Sequence, residues 1–421
     1  MRILILGGGG REHAIGSALA RQGRELLFAP GNGGTASLGE NIPLDAEVPE
    51  LVAEEAVRRG VDFVVVGPEA PLVAGVADVL EQEGIATFGP GAMAAQVEGS
   101  KRFAKDLMQR HGIPTGAHAT FTDEGSALAY LDEVGAPIVV KADGLAAGKG
   151  VTVAHDIETA REAVRECFAG RFGDAGSTVV IEEMLVGQEC SLLAFTDGKT
   201  VLPMIPAQDH KPVFDGDRGP NTGGMGVYTP VPVVTDEALA TMEAVLAETV
   251  SALAEEGVHY KGVLYGGFIL TDDGPKVLEF NARFGDPETQ VILPMLETDL
   301  LEVLVAVAEE RLEEVELRWS DGACLSVVMA SPGYPGSYPK GLPIEGIEDA
   351  EAVDGVTVFH AGTAIEDGRL VTSGGRVLNV TAKAADLATA KQVAYEAVSK
   401  IKFEGAHFRT DIGAKALSYQ P

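Results

Sequence analysis

Four short apolar runs, ILIL (3–6), LLFA (26–29), FVVV (63–66) and ATF (86–88), are spaced along the first hundred residues with segments of helical pattern between them. That alternation is the signature of a parallel sheet with crossover helices, and it restricts the start of the chain more than any other feature. A smaller unit follows between about 120 and 190: HATF, a helix, PIVVKAD, a glycine-rich turn, GVTVAH, a second helix and STVVIEE. A third stretch carries the strands CSLLAF, GVLYGGFIL and KVLEFNA, with a helix expected from Asp236 to Glu256. Thr235 is the candidate N-cap of that helix, acidic residues fill its first turn and Gly257 is its stop. The last hundred residues open with CLSVVMA and GVTVFHA and end in an amphipathic helix, where Leu387, Ala390, Ala394, Ala397 and Ile401 keep helical spacing. The expected division is 1–100, 101–322 with a subdomain at 120–189, and 323–421.

Charge and cysteine usage narrow the function classes. With 32 basic and 63 acidic side chains the formal charge is −31, which argues against a nucleic-acid groove or an anionic membrane as partner. A phosphorylated substrate is still compatible, because a site is local. No run approaches the roughly 18 apolar residues of a membrane span, and MRILILGGGG has too short an apolar run for a signal peptide. Cys167, Cys190 and Cys324 lie far apart in apolar contexts, so neither a disulfide framework nor a zinc site is expected. A cytoplasmic enzyme fits these features.

Three glycine-rich loops carry different meanings. ILILGGGGREHAIG is a strand followed by glycines that open a helix, an arrangement that points N–H groups and a helix N-terminus at an anion. It is not a dinucleotide fingerprint: counting from Gly7 or Gly8, Glu12 or His13 replaces the third glycine of GxGxxG. The second strand also ends FAPGNGG, without the acid that would hold an NAD ribose. A phosphate on another ligand is expected, with a structural turn as the alternative. KADGLAAGKGV (141–151) is not a P-loop, since Gly150 follows Lys149 and a strand stands where a helix is needed. What remains is a hairpin tip carrying Lys149, with Lys141 on the incoming strand, suited to a lid over a polyphosphate. An ordinary long hairpin is the alternative. The segment 209–230 shows neither alternation nor helical period, and sets Asp209, His210, Lys211, Asp215, Asp217, Arg218 and Asn221 among glycines. Loops this long inside a compact domain tend to be functional.

Two acidic segments complete the pattern. In STVVIEEMLVGQECSLLAF (177–195), Glu182, Glu183 and Glu189 lie around a strand-to-strand hinge. Such a hinge offers backbone groups to an adenine edge, and a carboxylate a few residues on can accept from both ribose hydroxyls. In KVLEFNARFGDPETQ (276–290), alternation puts Leu278, Phe280, Ala282 and Phe284 on one face and Val277, Glu279, Asn281 and Arg283 on the other. Glu279 and Asn281, about 7 Å apart along a strand, can grip one hard cation whose other positions are filled by phosphates. Arg283 follows on that face, shaped for bidentate recognition of an anion.

At these residues the chain resembles a known family. The order of elements resembles the ATP-grasp carboxylate–amine ligases. Within them, RFGDPETQ (283–290), GPNTGGMG (219–226), ILGGGGREHA (5–14) and GPEAPL (67–72) are similar to the phosphoribosylamine–glycine ligases, the glycinamide ribonucleotide synthetases of purine biosynthesis. The resemblance implies an α/β ATP-grasp fold with an N-terminal Rossmann-like domain, a mobile lid subdomain and a C-terminal β-rich domain. It implies a reaction of glycine, 5-phosphoribosylamine and ATP through an acyl phosphate, with Mg²⁺ or Mn²⁺ as cofactor and a monomer as the default state. Carried over, Lys101, Lys141 and Lys149 would contact ATP phosphates, Glu182 and Leu185 the adenine, and Glu189 the ribose. Glu279 and Asn281 would hold the metal. Gly8, Gly9, Gly10 and Glu69 would face the phosphoribosyl group, with Arg376 reaching the same ligand. Asp209, Lys211, Arg283 and the turn Asn221, Thr222, Gly223 and Gly224 would line the glycine and acyl-phosphate region. No histidine is assigned as general base, although His210 sits in a suggestive loop. Another ATP-grasp enzyme of purine synthesis and a non-catalytic nucleotide-binding module are the alternative readings.

Overall fold

Each of the four N-terminal apolar runs is a strand: Arg2–Gly7, Glu25–Pro30, Phe63–Val66 and Ala86–Phe88. With Glu40–Asn41 they form a five-stranded sheet in which every pairing is parallel. Ile3, Leu4, Ile5 and Leu6 are fully buried, as a strand covered on both faces must be. The sheet grows to one side of Arg2–Gly7 through Glu25–Pro30 and to the other through Phe63–Val66. The glycines after Arg2–Gly7 therefore sit at the switch point, where open parallel sheets leave a crevice for ligands. The computed structural model describes residues 1–20, 23–145 and 150–419.

The expected subdomain is an antiparallel sheet in the order His118–Phe121, Val179–Glu183, Ile138–Ala142, Val151–Ala154. Helices Glu124–Val134 and Ile157–Phe168 accompany it, with Asp123 and Asp156 accepting from Ser126 N and Thr159 N as N-caps. Its buried residues, among them Leu131, Val140, Val164 and Ile181, form a core of their own.

A second antiparallel sheet runs Val201–Pro203, Gln188–Thr196, Gly262–Thr271, Gly274–Asn281. Helix Asp236–Glu255 packs across it, capped by Thr235 Oγ1 and ended before the left-handed Gly257. Uninterrupted alternation fails in its last strand. Gly267 pairs with Glu279 but Phe268 pairs with Val277, so Leu278 is an extra residue, a β-bulge. The bulge turns Val277 into the core with Phe280 and Ala282 and leaves Leu278 half-buried. Glu279 and Asn281 lie beyond it in regular register, opposite Gly267 and Tyr265.

The third sheet, also antiparallel, runs Gln208–Asp209, Gly226–Thr229, Ala323–Ala330, Arg376–Ala384, Val356–His360. Its first two strands come from the middle of the chain. The segment 209–230, irregular by sequence pattern, is thus built largely from short strands, and Pro212–Phe214 pairs with Arg218–Asn221 as a separate hairpin. Pieces of two to four residues are too short for a period-2 pattern to show. Helix Leu387–Val398 packs on this sheet, and Ile401, just past its end, is buried in the same core. Among the described residues no helix is long and apolar enough to cross a membrane.

Candidate active site

Helix Lys101–His111 starts at Ser100, whose hydroxyl accepts from Phe103 N, and Lys101 Nζ donates to Gly144 O at 2.9 Å. Lys141, next to the last residue of its strand, donates to Leu278 O at 3.3 Å and pairs with Glu182 on the neighbouring strand. Glu182 also pairs with Lys105, whose Nζ donates to Thr115 Oγ1 at 2.7 Å. Burial raises the Glu182 carboxyl, but Lys141 and Lys105 outweigh it and hold the group below its ordinary range. This side chain is engaged on both sides, and Leu185, just past the strand end, is half-buried. Lys149 lies outside the described residues.

Glu279 and Asn281 share one face of their strand. Burial raises Glu279, and Lys211, Lys141, Lys101 and Arg283 together pull it below its ordinary value. Lys101 from a helix, Lys141 from a strand and Lys211 and Arg283 from connecting segments thus all act on one carboxylate. Asp209 and Lys211 come from the segment entering the third sheet, and Lys211 Nζ donates to Glu189 Oε2 at 3.1 Å. Loss of hydration pushes Asp209 up to about 7; Lys211 opposes the shift while Glu288, Glu189 and Glu279 add to it. Loss of hydration lowers Lys211, but Asp209, Glu189 and Glu279 raise it well above its usual value. Glu189, Asp209, Lys211 and Asn221 line a cavity of about 600 Å³.

Arg283 is not an open fork. Its Nη2 lies 2.8 Å from Glu98 Oε1 and its Nε donates to Glu69 Oε2 at 3.3 Å. Asn281 Oδ1 and Phe284 O accept from its other N–H groups, each at 3.3 Å. Glu98 in turn accepts from Ala282 N at 2.7 Å. The guanidinium therefore ties the Glu279–Asn281 strand to the N-terminal domain.

A second cavity of about 330 Å³ opens between that domain and the third sheet, lined by Gly8 and Gly9 and by Asp286, Thr363, Ser373 and Arg376. Asn32 stitches its walls together, donating to Gly8 O at 3.0 Å and to His360 O at 2.8 Å. Gly9 N donates to Glu12 Oε2 at 2.6 Å, so that N–H is already engaged. Gly8 has no room for a side chain, because a Cβ would lie 2.5 Å from Gly31 O. Gly10 is not in the lining: it faces the amides of Asn379 and Gln290. Glu69 is also outside the lining and reaches Arg283 instead. Arg376 Nη1 donates to Gly223 O at 2.7 Å and Asp286 O at 2.8 Å, and Thr222 Oγ1 donates to Lys211 O at 2.8 Å. The turn Asn221–Gly224 thus bridges the two cavities.

Residues 1–98, 99–289 and 324–415 match the N domain, the ATP-grasp (A) domain and the C domain of phosphoribosylglycinamide synthetase. The chain belongs to the phosphoribosylglycinamide synthetase family. The phosphoribosylamine–glycine ligase of Rhizobium meliloti is 52% identical to it over 421 residues, covering 99% of both chains. That of Nostoc sp. is 50% identical over 426 residues, covering 99% of this chain and all (100%) of the other. The crystal structure of the phosphoribosylamine–glycine ligase from Thermotoga maritima superposes with a TM-score of 0.85 at 35% identity, over 98% of this chain and 100% of that one. The biotin carboxylase domain of Hydrogenobacter thermophilus 2-oxoglutarate carboxylase shares the fold, with a TM-score of 0.76 at 16% identity over 100% of this chain and 99% of that one. The chain is an ATP-grasp ligase of the C–N bond-forming kind, with a parallel-sheet N-terminal domain and antiparallel sheets beyond it.

Within this synthetase-family chain, several residues that line the smaller cavity or pair with Glu182 and Arg283 escape sequence reasoning. Asp286 lies inside RFGDPETQ and Lys105 one helical turn after Lys101, so both carried a local signal. Asn32, Glu98 and Thr363 carried none.

Proposed function

We propose that this chain joins glycine to 5-phosphoribosylamine at the expense of ATP, giving glycinamide ribonucleotide, ADP and phosphate. The observation that carries this reading is the Asn221–Gly224 turn, which touches Lys211 beside one cavity and Arg376 beside the other. ATP would enter the larger cleft, with its phosphates toward Lys101 and Lys141 and its ribose toward Glu189. The phosphoribosyl group would take the smaller cavity, among Gly8, Gly9, Ser373 and Arg376. A glycine carboxylate oxygen attacks the γ-phosphorus as the bond to ADP breaks, and the amine nitrogen then attacks the acyl carbon and expels phosphate. Asp209, whose proton comes off near neutrality, is assigned the proton released by the amine. Lys211 and Arg283 offset the charge of a carboxylate approaching three phosphates.

The donor set at Glu279 and Asn281 fits Mg²⁺ or Mn²⁺. Among the described residues no cluster of three or more His, Cys, Asp or Glu could hold a metal. One carboxylate and one amide oxygen leave the other positions to phosphates and water, as Mg²⁺ prefers. When bound, the cation supplies charge neutralisation between the phosphates and the incoming carboxylate. The working state is a cytoplasmic monomer. The test is product formation from glycine, chemically generated phosphoribosylamine, ATP and Mg²⁺. Glycinamide ribonucleotide appearing only with all components is expected. ATP cleavage driven by formate or bicarbonate, and not by glycine, would replace this reading with another ATP-grasp reaction.

A further inference from the structure

We propose that Arg409 is a positioning residue, setting Lys211 and the Asn221–Gly224 turn from the far end of the chain. Its side chain is fully buried although the segment carrying it belongs to no helix or strand. Nε and Nη2 donate to the two carboxylate oxygens of Asp411, each at 2.7 Å, and Nη1 donates to Pro212 O and Asp217 Oδ1, each at 3.0 Å. Asp217 also pairs with Lys415 and sits at φ +54°, a left-handed conformation that costs a non-glycine residue energy. The grip continues on both sides. His407 Nε2 donates to Val213 O at 2.8 Å, Thr410 N to Asp215 Oδ1 at 2.8 Å, and Gly216 N to Asp411 Oδ2 at 2.8 Å. Residues 407–411 thus hold the hairpin at Pro212, Val213, Asp215, Gly216 and Asp217.

The hairpin needs that hold. Its two strands have no third, and the second, Arg218–Asn221, is exposed along its length. An isolated two-stranded hairpin is marginal in water. Lys211 precedes its first strand and Asn221 ends its second, while Thr222 N and Oγ1 both donate to Lys211 O at 2.8 Å. The Pro212 carbonyl held by Arg409 is one residue from Lys211. A planar fork that serves Asp411 bidentately while its third nitrogen serves Pro212 and Asp217 cannot be replaced by an ammonium.

The inference rests on the role given to Lys211 above. In Arg409→Lys, kcat is expected to fall by about 10- to 100-fold with the ATP KM changed by less than about 3-fold, as a small misplacement of a reacting group does. Hydrogen exchange over 212–221 should quicken while exchange over 262–281 is unaltered. Unchanged turnover would overturn the proposal. So would kcat and ATP KM worsening together with lost protection across the whole C-terminal sheet, which marks a merely structural role. Should Arg409→Lys fail to fold, Thr410→Val removes the hydroxyl tie to Asp215 and leaves the ion pairs of Arg409 with Asp217 and Asp411 in place. The same split is then expected at a few-fold amplitude, and no change in turnover or hairpin exchange overturns the proposal equally. If the wild-type chain makes no glycinamide ribonucleotide, the proposed function fails, and the exchange arm still decides whether Arg409 holds the hairpin.

Discussion

Glu279 is a carboxylate addressed by Lys211, Lys141, Lys101 and Arg283 at once, so neutralising it should be felt beyond metal binding. Glu279→Gln is expected to cut turnover by about 100-fold or more, since a lost charge-compensating ligand at phosphoryl transfer costs several kcal/mol of barrier. The thermal midpoint should move by only a few degrees, and measuring both separates site from fold; turnover at the wild-type level with ordinary Mg²⁺ dependence would dismiss the assignment. Arg283→Lys should damage both. A lysine keeps the charge but cannot serve Glu98, Glu69 and Asn281 together, and leaving the buried Glu98 short of a partner costs about 1–3 kcal/mol of stability. Glycine-dependent turnover should drop while ATP-analogue affinity holds; affinity falling in parallel would make Arg283 a nucleotide contact. The Glu279–Asn281 pair was legible because strand spacing is local. The partners of Arg283 were not, since Glu69 is 214 residues away in sequence and Glu98 sits in no motif.

At the scale of the element, the bulge at Leu278 sets what the strand presents, and alternation alone could not locate an inserted residue. The paired strand adds a constraint that only the structure shows: a Cβ on Gly267 would lie 3.3 Å from Glu279 Cγ. Gly267→Ala should therefore displace the carboxylate and raise the Mg²⁺ concentration needed for half-maximal turnover, with little loss of stability. An unchanged metal requirement would show that the strand gives way freely. The subdomain 118–183 has a core separate from the others and reaches the rest through polar ties such as Lys105–Glu182 and Ser100–Asp143. We propose that a unit joined in this way moves as a body when nucleotide binds. Hydrogen exchange in its strands should slow when an ATP analogue and Mg²⁺ are added together, and equal exchange with and without them would count against a closing lid. The two helices of this unit were expected from the segments between its strands, and the structure adds their aspartate caps. The hairpin at 212–221 was not, because its strands are short and its anchor lies near the C-terminus.

At the scale of the whole molecule, the N-terminal domain and the third sheet meet over two histidines. His13 Nδ1 accepts from His360 N at 2.7 Å, which requires that nitrogen to be unprotonated. Burial, with His360 nearby, lowers His13 to about 3, and burial lowers His360 to about 4. Unfolded histidines titrate near 6.5, so below that pH the unfolded chain binds more protons than the folded one. The stabilisation is complete above about 6.5 and is lost as pH falls toward 4 and then 3. The urea midpoint is expected to be lower at pH 5 than at pH 7, and His13→Gln, whose amide oxygen can still accept from His360 N, should reduce that difference while the response of His360 remains. A variant as pH-sensitive as the wild type would place the acid response elsewhere. The sequence showed the two regions but not their junction, since nothing local marks His13 as the partner of a backbone amide 347 residues on.

The third sheet also bears on how the gene for such a chain can be cut. Gly226–Thr229 pairs with Cys324–Val327 through backbone hydrogen bonds, so a break at the bend before Ala323 severs the polypeptide without separating its halves. Two polypeptides, 1–321 and 322–421, should find each other when made in the same cell. The second would otherwise carry an unpaired, mostly apolar strand edge that invites aggregation. Co-purification of a tagged 322–421 piece with its untagged complement, and recovery of ligase turnover in the mixture, would show that this sheet can be assembled from two polypeptides, a natural basis for a split reporter.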